Sequence, residues 1–176
     1  MKRIEQENHA RYLTFSCYRQ LGLFENDRIK DAFVEQLRRT RERTNFHLLA
    51  WVIMPDHVHM LIWPRLPEYP VSKVTMGMKR AFGRAVIGRW RELDASILKK
   101  LEARNGQVRF WQYGGGYDRN IVDGLELHEK IRYIHENPVR RGLVERAEDW
   151  AWSSARWYAG SREGVLSIDD LKRPGS

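Results

Sequence analysis

Residues 46–54 and 56–63 are two apolar runs parted only by the turn Met54-Pro55-Asp56, and this pairing limits the fold more than any other feature of the chain. Proline fixes its own φ and supplies no N–H, and strands joined by so short a connection run antiparallel. A β-hairpin is therefore expected, with His57 and His59 opening its second strand. Side chains alternate across a strand, so the two imidazoles share one face while Val58 and Met60 take the other.

The remaining elements are read around this hairpin. Residues 12–18, "YLTFSCY", carry aromatic and small residues without a breaker and predict a first strand. Residues 26–43 place Ile29, Phe33 and Leu37 at helical spacing, with Asn26 or Asp27 as the cap. Residues 71 to about 93 predict a second helix with Val74, Met78, Ala81 and Ala85 on one side. Residues 108–113, "VRFWQY", predict a strand, and Gly114, Gly115 and Gly116 a flexible turn. A short strand over 118–122 follows, then a third helix from 125 to about 137, stopped by Pro138. The order β-α-β-β-α-β-(β)-α predicts an α+β fold of the ferredoxin-like or RRM-like type, an antiparallel sheet with helices mainly on one face. No linker or repeat divides the 176 residues, so one domain over 1–176 is expected, with a C-terminal tail from about 159. Trp150, Trp152 and Trp157 are read as packing, with Ser153 or Ser154 capping a short helix.

Two imidazoles side by side on an open sheet face suit a divalent metal, but two nitrogens do not complete its shell. The third helix offers further groups. Leu127, Ile131 and Ile134 form its core stripe, and Glu126, Lys130, Tyr133 and Asn137 form a second stripe beside it. His128 and His135 fall beyond that stripe and are read as solvated. Tyr133 and Asn137, four residues apart, can face one point if the helix lies along the sheet. A phenol and an amide beside two imidazoles could form a metal-assisted nucleophilic centre acting on phosphorus. Glu126 and Lys130 would flank it. Tyr117, after the glycines, is the alternative nucleophile, although it lacks a helical partner such as Asn137.

Thirty-one Lys and Arg against 23 Asp and Glu give a net charge of +8, which favours a polyanionic partner such as nucleic acid. Lys73, Arg80, Arg84 and Arg91 lie on one stripe of the second helix, and Arg140 and Arg141 follow the third, together a plausible phosphate track. Phe110, Trp111, Tyr113 and Tyr117 are either core or stacking surface for exposed bases. The lone Cys17 cannot form an intramolecular disulfide, and no apolar run is long enough to span a bilayer, so the chain reads as cytoplasmic.

His57-Val58-His59 after "MPDH", with "YIHENPVRRGLV" and "DWAWSS" downstream, resembles the REP-associated tyrosine transposases of the histidine-hydrophobe-histidine (HUH) nuclease superfamily. The likeness runs from about Leu13 to Trp157. It implies a ferredoxin-like nuclease fold and cleavage of single-stranded DNA beside hairpins, through a transient 5′-phosphotyrosine that leaves a free 3′-hydroxyl. It makes Tyr133 the nucleophile and His57 and His59 ligands of Mg2+ or Mn2+. Asn137 stands where related insertion-sequence enzymes carry glutamine, one methylene longer. Two other readings stay open: a non-catalytic nucleic-acid-binding module of RRM type, and a small metallohydrolase of free nucleotides. The residue order is compatible with a monomer or a swapped homodimer.

Overall fold

The computed structural model describes residues 9–64, 70–114, 116–162 and 164–169; Gly115 of the glycine turn and positions 170–176 of the tail lie outside them. In chain order the elements are β1 (Ala10–Ser16), α1 (Asp27–Thr44), β2 (Phe46–Ile53), β3 (His57–Pro64), α2 (Val71–Glu92), α3 (Leu98–Leu101), β4 (Tyr117–Ile121), α4 (Gly124–Arg140) and α5 (Ala155–Tyr158). The strands form one antiparallel sheet in the order β2-β3-β1-β4, the ferredoxin-like arrangement expected from the element order. The hairpin turn closes with Met54 N–H donating to the His57 carbonyl at 2.8 Å. Among the described residues, no helix is long and apolar enough to cross a membrane.

Each face of the sheet carries its own core. Leu13 and Phe15 of β1 and Val58, Met60 and Ile62 of β3 face α1 and α2. Tyr12, Val52 and Leu61 face the other way, against Ile131 and Ile134 of α4. Two of the three long helices thus cover one face, and the helix bearing Tyr133 lies across the opposite one. A β-bulge between Leu48 and Ala50 shifts the alternation of β2, so that Leu48 and Trp51 share one core while Leu49, Ala50 and Val52 join the other.

Several boundaries differ from the sequence reading, each for a physical reason. Asn26 caps α1, its side chain accepting from Arg28 N–H at 2.9 Å. The buried stripe of α2 is Val71, Val74, Met78, Phe82 and Val86, whereas Ala81 and Ala85 are exposed. The larger Phe82 and Val86 bury more apolar area, and they set the rotation of the helix. Residues 108–113 do not form a strand. Their backbone makes only isolated bridges, Glu102 to Val108 and Cys17 to Trp111. The segment is held instead by packing: the rings of Phe110 and Trp111 lie 5.0 and 5.8 Å from that of Phe82, and the Trp111 indole donates to the Lys79 carbonyl at 2.9 Å. Phe110 and Trp111 are core; Tyr113 is exposed.

Pro138 does not stop α4. The helix runs on to Arg140 and closes with Leu143 N–H on the Pro138 carbonyl and Gly142 N–H on that of Val139, both at 2.9 Å, with Gly142 at φ 67°. This left-handed closure suits glycine and ends the helix beyond the proline. His135 is buried, not solvated, because α4 sits between the sheet and the segment around Ser154. Burial pushes its imidazole down to about 4. His128 is exposed, as expected.

The Trp-Ser block covers the outer edge of β2. Ile53 N–H donates to the Trp152 carbonyl at 2.9 Å, Ser154 N–H to the Trp51 carbonyl at 3.0 Å, and Trp51 N–H to Ser154 Oγ at 3.0 Å. Trp150, Trp152 and Trp157 are partly buried against the cores, as expected. Ser154 is the N-cap residue of α5 but makes no side-chain cap bond; Ser153 Oγ accepts from Ala155 N–H instead. From the tail, Asp169 N–H reaches the Leu48 carbonyl at 2.8 Å. An open strand edge invites pairing with another chain, and this segment closes it. Ser154→Ala should leave the buried Trp51 N–H and His135 without that partner and cost about 1–3 kcal/mol, measured by urea unfolding.

Candidate functional site

The site grows from the register of β1 against β3, in which Thr14 stands opposite His59 and Ser16 opposite His57. Alternation brings Tyr12, Thr14, His57 and His59 to the face covered by α4. His59 is 5% exposed. Its Nε2 lies 3.0 Å from Nε2 of His57, and its Nδ1 lies 2.8 Å from both the Tyr12 and Thr14 hydroxyls. Nδ1 of His57 lies 2.7 Å from Oδ1 of Asp56.

This pattern governs the lone pairs. Asp56 accepts from the Nδ1–H of His57, which puts the His57 lone pair on Nε2, facing His59. His59 can hold its proton on Nε2 and accept at Nδ1, or hold it on Nδ1 and donate there, because a hydroxyl serves in either role. Only the first keeps every partner, with Nε2–H donating to His57 and Nδ1 accepting from the hydroxyls; the second leaves two Nε2 lone pairs facing each other. Burial first, then the charge of His57, pushes the His59 imidazole down to about 3, so it stays neutral, the form that binds metals. Burial pushes the Tyr12 phenol up to about 12, partly opposed by the Thr14 hydrogen bond. Burial works to raise the Asp56 carboxyl, but His57 and Arg141 outweigh it and hold it below the usual carboxylate range.

Helix α4 supplies the remaining groups. The Tyr133 ring is 5.6 Å from that of His59, nearly edge-on, and 37% exposed. Asn137 is buried; its amide N–H donates to the Tyr133 carbonyl at 2.7 Å, and its side chain acts on His59 to favour the charged imidazole. With the amide nitrogen engaged by the helix, the amide oxygen is the atom presented to the histidine. Lys130 Nζ lies 5.2 Å from the centre of the Tyr12 ring and 5.7 Å from that of Tyr133, and the Arg140 guanidinium 5.3 Å from the latter. Tyr133, Asn137 and the histidine pair are thus assembled within one chain. Tyr117 is 53% exposed and meets Tyr12 at 5.9 Å. Glu126 pairs with Arg119 at 2.8 Å and accepts from Val122 N–H, which places it at the junction of β4 and α4.

Two imidazoles and an amide oxygen form a donor set suited to a divalent ion with open positions. Among the described residues, no group of three or more His, Cys, Asp and Glu side chains is placed to hold a metal. The basic residues divide. Lys73, Arg80, Arg84 and Arg91 are all exposed along α2. Lys73 and Arg80 line a groove of about 580 Å³ shared with Arg109, Tyr113 and Tyr117. Arg140 pairs with Glu136, whereas Arg141 bonds Asp56 at 2.9 Å. Sequence reading missed Tyr12, Thr14 and Asp56. Alternation along β1 put Tyr12 and Thr14 on one face, but nothing local gave the register that sets them under His59.

The sequence matches the family described as "Transposase IS200 like" over residues 7–137. The chain belongs to that family. It is 32% identical over 126 residues to a Haemophilus influenzae protein and 31% over 125 residues to one from Escherichia coli K12, both named REP-associated tyrosine transposases. The alignments cover 69% and 70% of this chain but 66% and 62% of those relatives, about two thirds of their length. A solved REP-associated tyrosine transposase bound to a REP hairpin shares the fold, with a TM-score of 0.71 at 18% identity over 97% of this chain and 92% of that one. The resemblance drawn from the motifs is thereby met.

The two hydroxyls on His59 should behave as a unit. Tyr12→Phe and Thr14→Val should each cost about 0.5–1.5 kcal/mol, and the double variant more than their sum, because only then does the buried Nδ1 lose both partners; urea unfolding of all four proteins measures this.

Proposed function

We propose that the protein cleaves and rejoins single-stranded DNA beside a hairpin, with Tyr133 as nucleophile. The observation that carries this reading is the half-exposed Tyr133 ring, edge-on to a buried histidine whose Nε2 faces that of its neighbour at 3.0 Å. In the forward step the Tyr133 phenolate oxygen bonds to phosphorus and the bond from phosphorus to the 3′-oxygen breaks. That oxygen takes up a proton as a free 3′-hydroxyl, while the 5′-phosphate stays on the tyrosine. Attack by a 3′-hydroxyl on the phosphotyrosine reverses the exchange and completes strand transfer. Bond energy is conserved throughout, so no cofactor need supply it.

His57, His59 and Asn137 would hold Mg2+ or Mn2+, whose chemistry would be to polarise a phosphate oxygen. Tyr12, Thr14 and Asp56 keep the imidazoles oriented. Lys130 and Arg140, beside the Tyr133 ring, would meet the phosphate brought to it. The α2 stripe and the groove at its start would bind the DNA backbone. The related transposase bound to a REP hairpin supports hairpin DNA as the partner. A single chain would suffice for the chemistry, in the cytoplasm beside the nucleoid.

Labelled hairpin DNA with Mg2+ should yield a covalent adduct that survives a denaturing gel. Tyr133→Phe should abolish it, Tyr117→Phe should retain it, and a chelator should suppress it. An adduct that persists in Tyr133→Phe would transfer the role to Tyr117, and hairpin binding without any adduct would favour a binding module. Affinity should fall steeply with salt, and Arg84→Ala should make that dependence shallower by about one.

A further inference from the structure

We propose that Asp56 is a positioning residue that ties the end of the Tyr133 helix to the histidine pair, with Arg141 as its second arm; this rests on the proposed strand-transfer reading. One oxygen, Oδ1 of Asp56, receives His57 Nδ1 at 2.7 Å and Arg141 Nη2 at 2.9 Å. Asp56 is itself fixed, because its carbonyl accepts from Cys17 N–H at 2.8 Å and the neighbouring Pro55 carbonyl accepts from Phe24 N–H at 2.9 Å. Arg141 is the C-cap of α4, and its N–H donates to the Asn137 carbonyl at 3.1 Å. Asn137 shares the buried stripe of α4 beside Tyr133, whose ring lies 5.6 Å from that of His59, and His59 faces His57.

The contacts therefore run from His59 through His57, Asp56 and Arg141 to Asn137. This run of contacts joins the hairpin turn to the last turn of α4. Groups that orient a ligating histidine through its second nitrogen affect its metal affinity strongly, and small displacements of a reacting group are costly in rate. Arg141 accordingly acts through Asp56 on the placement of Asn137 and Tyr133. It is separated from the exposed arginines of α2, whose part is to meet phosphates.

Full-length protein would be titrated with Mn2+, followed by the electron paramagnetic resonance of the unbound ion, and assayed for hairpin affinity against salt and for single-turnover adduct formation at saturating DNA. Asp56→Ala should weaken Mn2+ binding about tenfold or more, while Asp56→Asn, which keeps an oxygen for His57, should recover most of it. Arg141→Ala should slow adduct formation about tenfold without changing hairpin affinity or its salt slope, and Arg141→Lys should restore part of the rate. The Arg141 side chain is 51% exposed, so its variants keep the test open if Asp56→Ala misfolds.

Wild-type Mn2+ affinity in Asp56→Ala overturns the proposal. So does an Arg141→Ala protein with a normal rate at saturation but weaker binding and a salt slope shallower by about one, the signature of a phosphate contact. If the wild type forms no adduct, the strand-transfer reading falls, and the role of Asp56 stands or falls on the Mn2+ titration alone.

Discussion

The pairing of β1 with β3 is the constraint on which the rest depends. It sets Thr14 opposite His59, and with alternation it puts Tyr12 and Thr14 on the face where the two imidazoles stand. A slip of one residue would send those hydroxyls into the opposite core and the apolar Leu13 and Phe15 under the histidines. Two separate cores forbid the slip, because each strand residue of β1 from Tyr12 to Phe15 has a defined environment on its own side. The register that buries the apolar residues is thus the one that builds the polar network.

Burial explains how that network holds. A histidine as enclosed as His59 would be costly if its ring nitrogens lacked partners, and here every one of them has a group within hydrogen-bonding reach. Hydroxyls suit this position better than a carboxylate would, since they follow either tautomer. His57, nearer the surface, has the carboxylate. The two imidazoles are therefore unlike: one is neutral and adaptable, the other oriented by an anion that Arg141 shares.

Helix α4 brings Tyr133 to this face, and its closure at Gly142 fixes where the helix ends. The block from Trp150 to Ser154 closes the edge of β2 and encloses His135 between that edge and α4. This gives the Trp-x-Trp-Ser-Ser motif a structural role: it is the cover of an exposed strand and the backing of the helix that carries Tyr133. The tertiary arrangement also separates cations that look alike in sequence. Arg84 and Arg91 project from α2, Arg140 lies over Tyr133, and the half-exposed Arg141 reaches Asp56.

Much of this was legible in the sequence wherever the signal was local. The proline turn dictated the hairpin, the period of two placed His57 and His59 together, and the helical spacing of Tyr133 and Asn137 put both on one stripe. The motifs carried the family resemblance. Where the signal was not local, the reading failed: "VRFWQY" has the composition of a strand but is held by aromatic packing, and His135 looked solvated because the segment that buries it lies 19 residues on. The sequence by itself determined the main strands and helices, their order and the chemistry available on each. Only the tertiary structure decided that Tyr12, Thr14 and Asp56 would meet the imidazoles and that one basic residue would serve the fold, because strand register and helix docking arise from burial summed over distant residues, which no short stretch of sequence contains.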